Sequence, residues 1–383
     1  VHLSFFYYNK KQAVSHYTQN LNLEDYMALS CGIIGLPMVG KTTFFNLLTG
    51  SQLQTSAFFS GKTAVSTGHA RIPDARVDFL ADIFKPKKTT YAQLEIIDVP
   101  GLRRGGNEFL AAVRDCDALA HIVRGFHDDD VPHVEDSLDI MRDIAAIDTE
   151  LLFADLQLIE TRLNRIREGR KKKLEHPLEE AALERCQALL MEEKPLKLFT
   201  PTEEEQEALK HITFLTNKPL LIVVNLDEGQ FSSGQWPQKQ QVEDYCAAQG
   251  YALIAVCARM EEEISRLPDE ERGLFLEELG VQESGVSRLA QALYRQLGLI
   301  SFLTTGEDEV KAWTIRQGLP ARQAAGKIHS DIERGFIRAE TVAFAHLSEA
   351  GSMAAAREKG YFRLEGKEYP VQDGDIINFR FNV

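Results

Sequence analysis

The residues Gly35-Leu36-Pro37-Met38-Val39-Gly40-Lys41-Thr42 fit the pattern GxxxxGK[ST]. They follow an apolar run, SCGIIG, and open a helical pattern, KTTFFNLLTG. That strand-to-helix setting is the one in which the pattern cradles phosphate. Gly35 and Gly40 let successive amides turn toward the β- and γ-phosphates, and a helix N-terminus favours an anion. Pro37, Met38 and Val39 form the body of the loop. Lys41 supplies a point charge, Thr42 offers a hydroxyl to Mg²⁺, and Thr43 completes the set expected to contact nucleotide.

A second element, Asp98-Val99-Pro100-Gly101, directly follows the apolar run LEIIDV. A carboxylate at a strand end can hold Mg²⁺, and the Gly101 amide can sense a γ-phosphate. Many nucleotide hydrolases place a glutamine after this glycine to orient water. Leu102 stands there and cannot do so, which predicts slow intrinsic turnover. Arg103 and Arg104 read as exposed charge on the same loop. Between the two motifs lies TSAFFSGKTAVSTG. There Thr63 is expected to complete the Mg²⁺ shell, with Thr67 as the alternative.

A third element sits in LIVVNLDE, where Asn225 ends an apolar strand pattern. In the NKxD version of this loop, an aspartate accepts two hydrogen bonds from guanine. Here Glu228 is longer by one methylene, and Leu226 replaces the lysine. The local reading weakens guanine preference without establishing adenine preference. A one-residue shift could present Asp227 instead. Cys257-Ala258-Arg259 follows the next strand pattern and could supply the last base-contacting loop.

The elements that must position these residues read as follows. Over 29–131, short apolar runs (SCGIIG, LEIIDV, ALAHIVR) alternate with helical segments, which implies a parallel sheet covered on both faces. From about 135 the period changes. Leu152, Leu156, Ile159, Leu163 and Ile166 line one face of a long helix, and LEEAALERCQALLMEE reads as its returning partner. This helical hairpin (135–211) interrupts the sheet, which resumes at KPLLIVVNLDE and YALIAVCARM (212–300). Residues 301–383 change character again to short strands and a helix. They are expected to form a small α+β module that folds as a separate unit, with Asp373-Gly374 turning between two strands. Residues 1–26 carry no caps or clean periodicity and are expected to be a non-native or disordered extension ahead of Met27.

Composition narrows the function classes. The 383-residue chain has no run of 18 apolar residues, so no membrane partner is expected. Its start lacks an export-signal pattern, which makes the cytoplasm the expected location. The five cysteines are scattered without a CxxC, against a disulfide framework or a zinc site. A net charge of -14 argues against broad nucleic-acid binding, and no DNA partner is expected. A local basic run at the hairpin tip (Arg165, Arg167, Arg170 to Lys173) could still meet RNA.

Taken together, GLPMVGKTT, DVPGL, NLDE and the tail AWTIRQGLPARQAAGKIHSDIERGFIRAE…LEGKEYPVQDGDIINFRFNV resemble the YchF-type Obg-like ATPases over about residues 27–383. The resemblance implies an α/β P-loop NTPase (a G domain, 27–134 and 212–300), an inserted antiparallel coiled-coil hairpin and a C-terminal β-grasp TGS domain. It also implies ATP or GTP as substrate with ATP favoured, Mg²⁺ as cofactor, and association with the ribosome (large subunit or rRNA) through hairpin and TGS domain. The expected role is regulatory, in translation or stress response. The alternative is a GTP-binding switch whose main role is nucleotide-dependent docking. Three departures mark a divergent paralogue. Met38 replaces an asparagine that relatives use for a monovalent cation, SGKT replaces PFCT around Thr63, and the second switch is shortened to GLRRGGNEFL.

Overall fold

The computed structural model describes residues 29–53, 65–99, 101, 107–170, 177–278, 281 and 283–382. The extension 1–26, Met27, Thr63, Pro100, Leu102, Arg103, Arg104 and Lys171 to Lys173 lie outside the described residues.

The apolar runs become strands. β1 (Ser30–Ile34), β5 (Ala118–Arg124) and β6 (Leu220–Asn225) are buried along their whole length. With β2 (Ser66–Arg71), β4 (Gln93–Asp98) and β7 (Ala252–Val256) they form a six-stranded sheet in the order β2-β4-β1-β5-β6-β7. All but β2 run parallel. Helices Lys41–Thr49, Asn107–Arg114 and Gly285–Gln296 pack on this sheet, and the first stops at Gly50 in the left-handed region, φ 69°. Because the parallel strands share a direction, their C-terminal ends share one edge. The loop after β1, Asp98 ending β4, Asn225 ending β6 and Cys257 after β7 all arrive there. Open α/β sheets bind ligands at such an edge, where the strand order reverses.

The hairpin consists of helices Ile140–Arg170 and Pro177–Met191. Ile159, Leu163 and Ile166 are buried against Ala182, Leu183, Cys186 and Leu190, with Leu152 and Leu156 partly buried beside them. The expected stripe is therefore the packing seam of the two helices. Asp155, fully buried, fixes its root: it pairs with Arg114 at 2.9 Å and accepts from the Leu215 and Thr216 amides.

The tail forms β8 (Leu299–Thr304), β9 (Glu309–Arg316), β10 (Phe336–Ala343), β11 (Arg363–Glu365) and β12 (Asp375–Phe381). β12 and β8 pair in parallel at the centre, and helix Ala321–Ile328 covers one face, a β-grasp arrangement. Asp373-Gly374 turns between two strands, β11 and β12, as expected, and β10 lies between them in the sheet. One expectation is corrected: the tail is not an isolated unit. A short strand of the first domain, β3 (Lys88–Thr90), pairs in parallel with β9 and extends this sheet. Leu303, Val310, Ala312, Val342 and Ile376 also belong to the same core as β1 and β5. Arg76 clamps the junction, reaching Asp373 at 2.8 Å.

Candidate functional site

The phosphate loop is shaped by backbone that most residues avoid. Gly35 and Gly40 lie at φ 146° and 101°. A Cβ on Gly35 would fall 2.4 Å from the Ile122 carbonyl oxygen, and one on Gly40 would fall 2.6 Å from Asn225 Nδ2. Both positions therefore need glycine for conformation and for space. Met38 also has a positive φ, 65°, a region in which a long side chain is uncommon.

Lys41 is buried, and its Nζ donates to the Leu36 carbonyl at 2.8 Å. Burial pulls its pKa down to about 8, with Asp98 opposing the shift. Thr42 Oγ1 donates to Asp98 Oδ2 at 2.8 Å. The other oxygen, Oδ1, is buried with no hydrogen-bond partner among the described residues. Burial pushes the Asp98 carboxyl up, while the Thr42 bond and the Lys41 charge hold it down. A buried carboxylate oxygen without a donor is costly unless a positive group meets it. Asp98 and Thr42 together offer hard oxygen ligands of the kind Mg²⁺ takes. Gly101 approaches from the second motif: a Cβ there would lie 2.5 Å from the Pro37 nitrogen. Any side chain at that position would push the two motifs apart.

At the base end, Asn225 spends its amide on backbone. Nδ2 donates to the Val39 carbonyl at 3.1 Å, and Oδ1 accepts from the Ala258 amide at 3.1 Å. It thereby ties the phosphate loop to the Cys257-Ala258 loop. Asp227 is committed elsewhere. It caps helix Glu228–Ser233 by accepting from the Gln230 amide at 2.9 Å, and Gln230 Oε1 accepts from the Asp227 amide at 3.1 Å. One oxygen of the Asp227 carboxylate, Oδ1, is therefore engaged in the helix cap. Glu228 remains, half-exposed, 3.7 Å from Arg259 Nε. Thr67 lies in β2, opposite Ile97 of β4.

Three contributors were missed in the sequence. Arg124 is buried and donates to the carbonyls of Phe126, Asp128 and Val131, strapping the loop after β5. Gln230 Nε2 holds that loop to the base end through the Gly125 carbonyl at 2.9 Å. His121 is buried with Nδ1 unpartnered among the described residues, and burial beside Lys41 holds its pKa down at about 3. The available signal was the interruption of a buried apolar run, ALAHIVR, by a histidine and an arginine.

A family model described as "50S ribosome-binding GTPase" matches residues 30–154. A model for the YchF GTPase C-terminal domain, described as "Protein of unknown function (DUF933)", matches residues 299–382. The ribosome-binding ATPase YchF of Bacillus subtilis is 42% identical over 93% of this chain and 100% of its own length. The chain belongs to the YchF family. The Escherichia coli O157:H7 ribosome-binding ATPase YchF is 40% identical with the same coverage, and the Obg-like ATPase 1 of Caenorhabditis elegans is 39% identical over 93% of this chain and 92% of its own. Among solved structures, the Schizosaccharomyces pombe YchF GTPase superposes with a TM-score of 0.78 at 31% identity, covering 92% of this chain and 98% of that one. The YchF likeness therefore runs through both sheets and the hairpin.

Proposed function

We propose that this chain hydrolyses nucleoside triphosphates with Mg²⁺, takes ATP at least as readily as GTP, and works on the ribosome as a regulatory ATPase in the cytoplasm. The observation that carries the reading is the phosphate end, where a buried Lys41 faces a buried Asp98 with an orphaned oxygen. Lys41 and the loop amides from Gly35 to Thr43 would neutralise the triphosphate. Thr42 and Asp98 would hold Mg²⁺, with Thr63 as the further oxygen ligand. The ion supplies charge neutralisation at the β- and γ-phosphates. The Gly101 amide would report the γ-phosphate, and Leu102 cannot orient water, so intrinsic turnover would be slow and accelerated by a partner or an ion.

ATP preference is supported by the base end, where Glu228, one methylene longer than an aspartate, lies 3.7 Å from Arg259 and Asp227 caps its helix through one carboxylate oxygen. The names of relatives matched over their full length support a ribosome partner. Arg165 and Arg167, exposed near the hairpin tip, suit rRNA of the large subunit, and the tail is the second candidate contact. Phosphate release measured with and without ribosomes tests the reading. It expects ATP turnover that rises with ribosomes and stops in EDTA, and no turnover under either condition would overturn it.

A second reading is a nucleotide-dependent docking switch. It draws on β3, which joins the tail's sheet and leads within three residues into β4, the strand ending at Asp98. It expects co-sedimentation with ribosomes that changes with the nucleotide while turnover does not.

A further inference from the structure

Among the described residues, the first sheet has an open edge. β7 ends the strand order, and its partner on the inner side is β6. The Leu226 amide donates to the Val256 carbonyl at 2.8 Å. In a parallel ladder this parity turns the backbone of Val256, Ile254 and Ala252 toward β6. Leu253 and Ala255 then turn their N–H and C=O groups outward, and among the described residues no hydrogen bond reaches those groups. Edge strands are ordinarily blunted by charge, proline or a covering segment. The sequence here, ALIAV, carries neither charge nor proline.

The outward groups open into a groove of about 840 Å³. Leu253, Ile254 and Ala255 form its floor, and helices Lys239–Gln249 and Gly285–Gln296 form its walls. Arg288 and Arg295 stand along one wall, seven residues apart and so about 10 Å along the helix. Arg288 lies within electrostatic reach of the Glu261 carboxylate, and among the described residues Arg295 reaches only Gln291. Lys239 adds a third positive charge, 3.9 Å from Glu243. In a chain of net charge -14, this apolar, backbone-lined groove is locally positive.

We propose that the groove takes an extended acidic segment of a protein partner, which adds as a strand beside β7 and turns carboxylates toward Arg288 and Arg295. Main-chain hydrogen bonds would supply affinity and alternate side chains specificity, as in other strand additions. Free N–H and C=O groups at strand spacing match a second peptide backbone, which nucleic acid lacks.

The test uses the full chain and a fluorescein-labelled peptide of about eight residues alternating valine and glutamate, followed by anisotropy. Saturable binding is expected, with no binding of the matching valine–lysine peptide. Arg288→Glu combined with Arg295→Glu should weaken it about tenfold or more. Ala255→Pro should do the same while leaving the sheet intact, since that N–H faces outward. ATP turnover should be unchanged in both variants. Equal binding by wild type and the charge-reversal variant would overturn the proposal. So would preference for a uridine oligonucleotide over the peptide. A wild-type dimer abolished by Ala255→Pro would overturn it too, because the groove would then hold a second copy of this chain.

Discussion

At the phosphate end of the crevice, Lys41 and Asp98 are buried, and glycines are required at Gly35, Gly40 and Gly101 by spacings of about 2.5 Å. At the base end, Glu228 and Arg259 are largely exposed and only loosely paired, and Asn225 is engaged with backbone. The first region stores unfavourable burial that a Mg²⁺-bound triphosphate would relieve. The second offers few committed groups to a base. The contrast supports the proposal that this crevice recognises the triphosphate strongly and the base weakly, so selectivity should be easy to move and phosphate binding hard to replace.

The sharpest break of that contrast is Lys41→Ala, which removes the side-chain cation of the phosphate loop. ATP turnover should fall by about a thousandfold or more, a loss of about 4 kcal/mol in transition-state stabilisation. Retained turnover in a phosphate-release assay would mean that the loop does not carry the chemistry. Asn225→Ala comes next. It leaves the Val39 carbonyl and the Ala258 amide unpaired, at about 1–3 kcal/mol for each buried group. ATP and GTP affinities measured by calorimetry should both drop about tenfold or more with their ratio unchanged; a change in the ratio would make Asn225 a reader of the base.

The pH response has a definite sign. Lys41 has a pKa of about 8 when folded, against 10.5 as the reference value. Between these values the unfolded chain binds more protons, so the Lys41 contribution makes the empty protein more stable as pH rises through about 8. Nucleotide needs the charged lysine, so ATP affinity should fall about tenfold between about pH 7 and pH 9. Lys41→Met should abolish the stability trend in thermal melts across that range. Glu228→Asp should have the smallest effect. It shortens the carboxylate and should shift the ATP-to-GTP affinity ratio toward GTP by a few-fold, about 1 kcal/mol, with Leu226 still in place of the lysine that covers guanine.

How much of this was legible depended on how local the determinants are. The phosphate motif, the buried strands β1, β5 and β6, and the hairpin stripe are written in contiguous or periodic residues, and they were read directly. The ties of Asn225 join positions far apart in the chain, so neither spacing nor periodicity marks them. The same holds for β3, whose three residues carry no apolar pattern yet extend the tail's sheet. The turn at Asp373-Gly374 is legible from its residue types, but its ties to Arg76 at 2.8 Å and to the Ser301 amide at 2.9 Å are not. The open edge at β7 follows from the order of strands, which one strand's residues cannot report.

The central claim, strong triphosphate recognition with weak base reading, is tested most directly by calorimetric titration of the wild-type protein with ATP and with GTP in Mg²⁺ buffer. The account predicts that ATP binds at least as tightly as GTP, because Glu228 stands where guanine readers carry an aspartate and Leu226 where they carry a lysine. GTP binding tighter by about tenfold, or about 1.4 kcal/mol, would contradict it and make the base end a guanine-selective site.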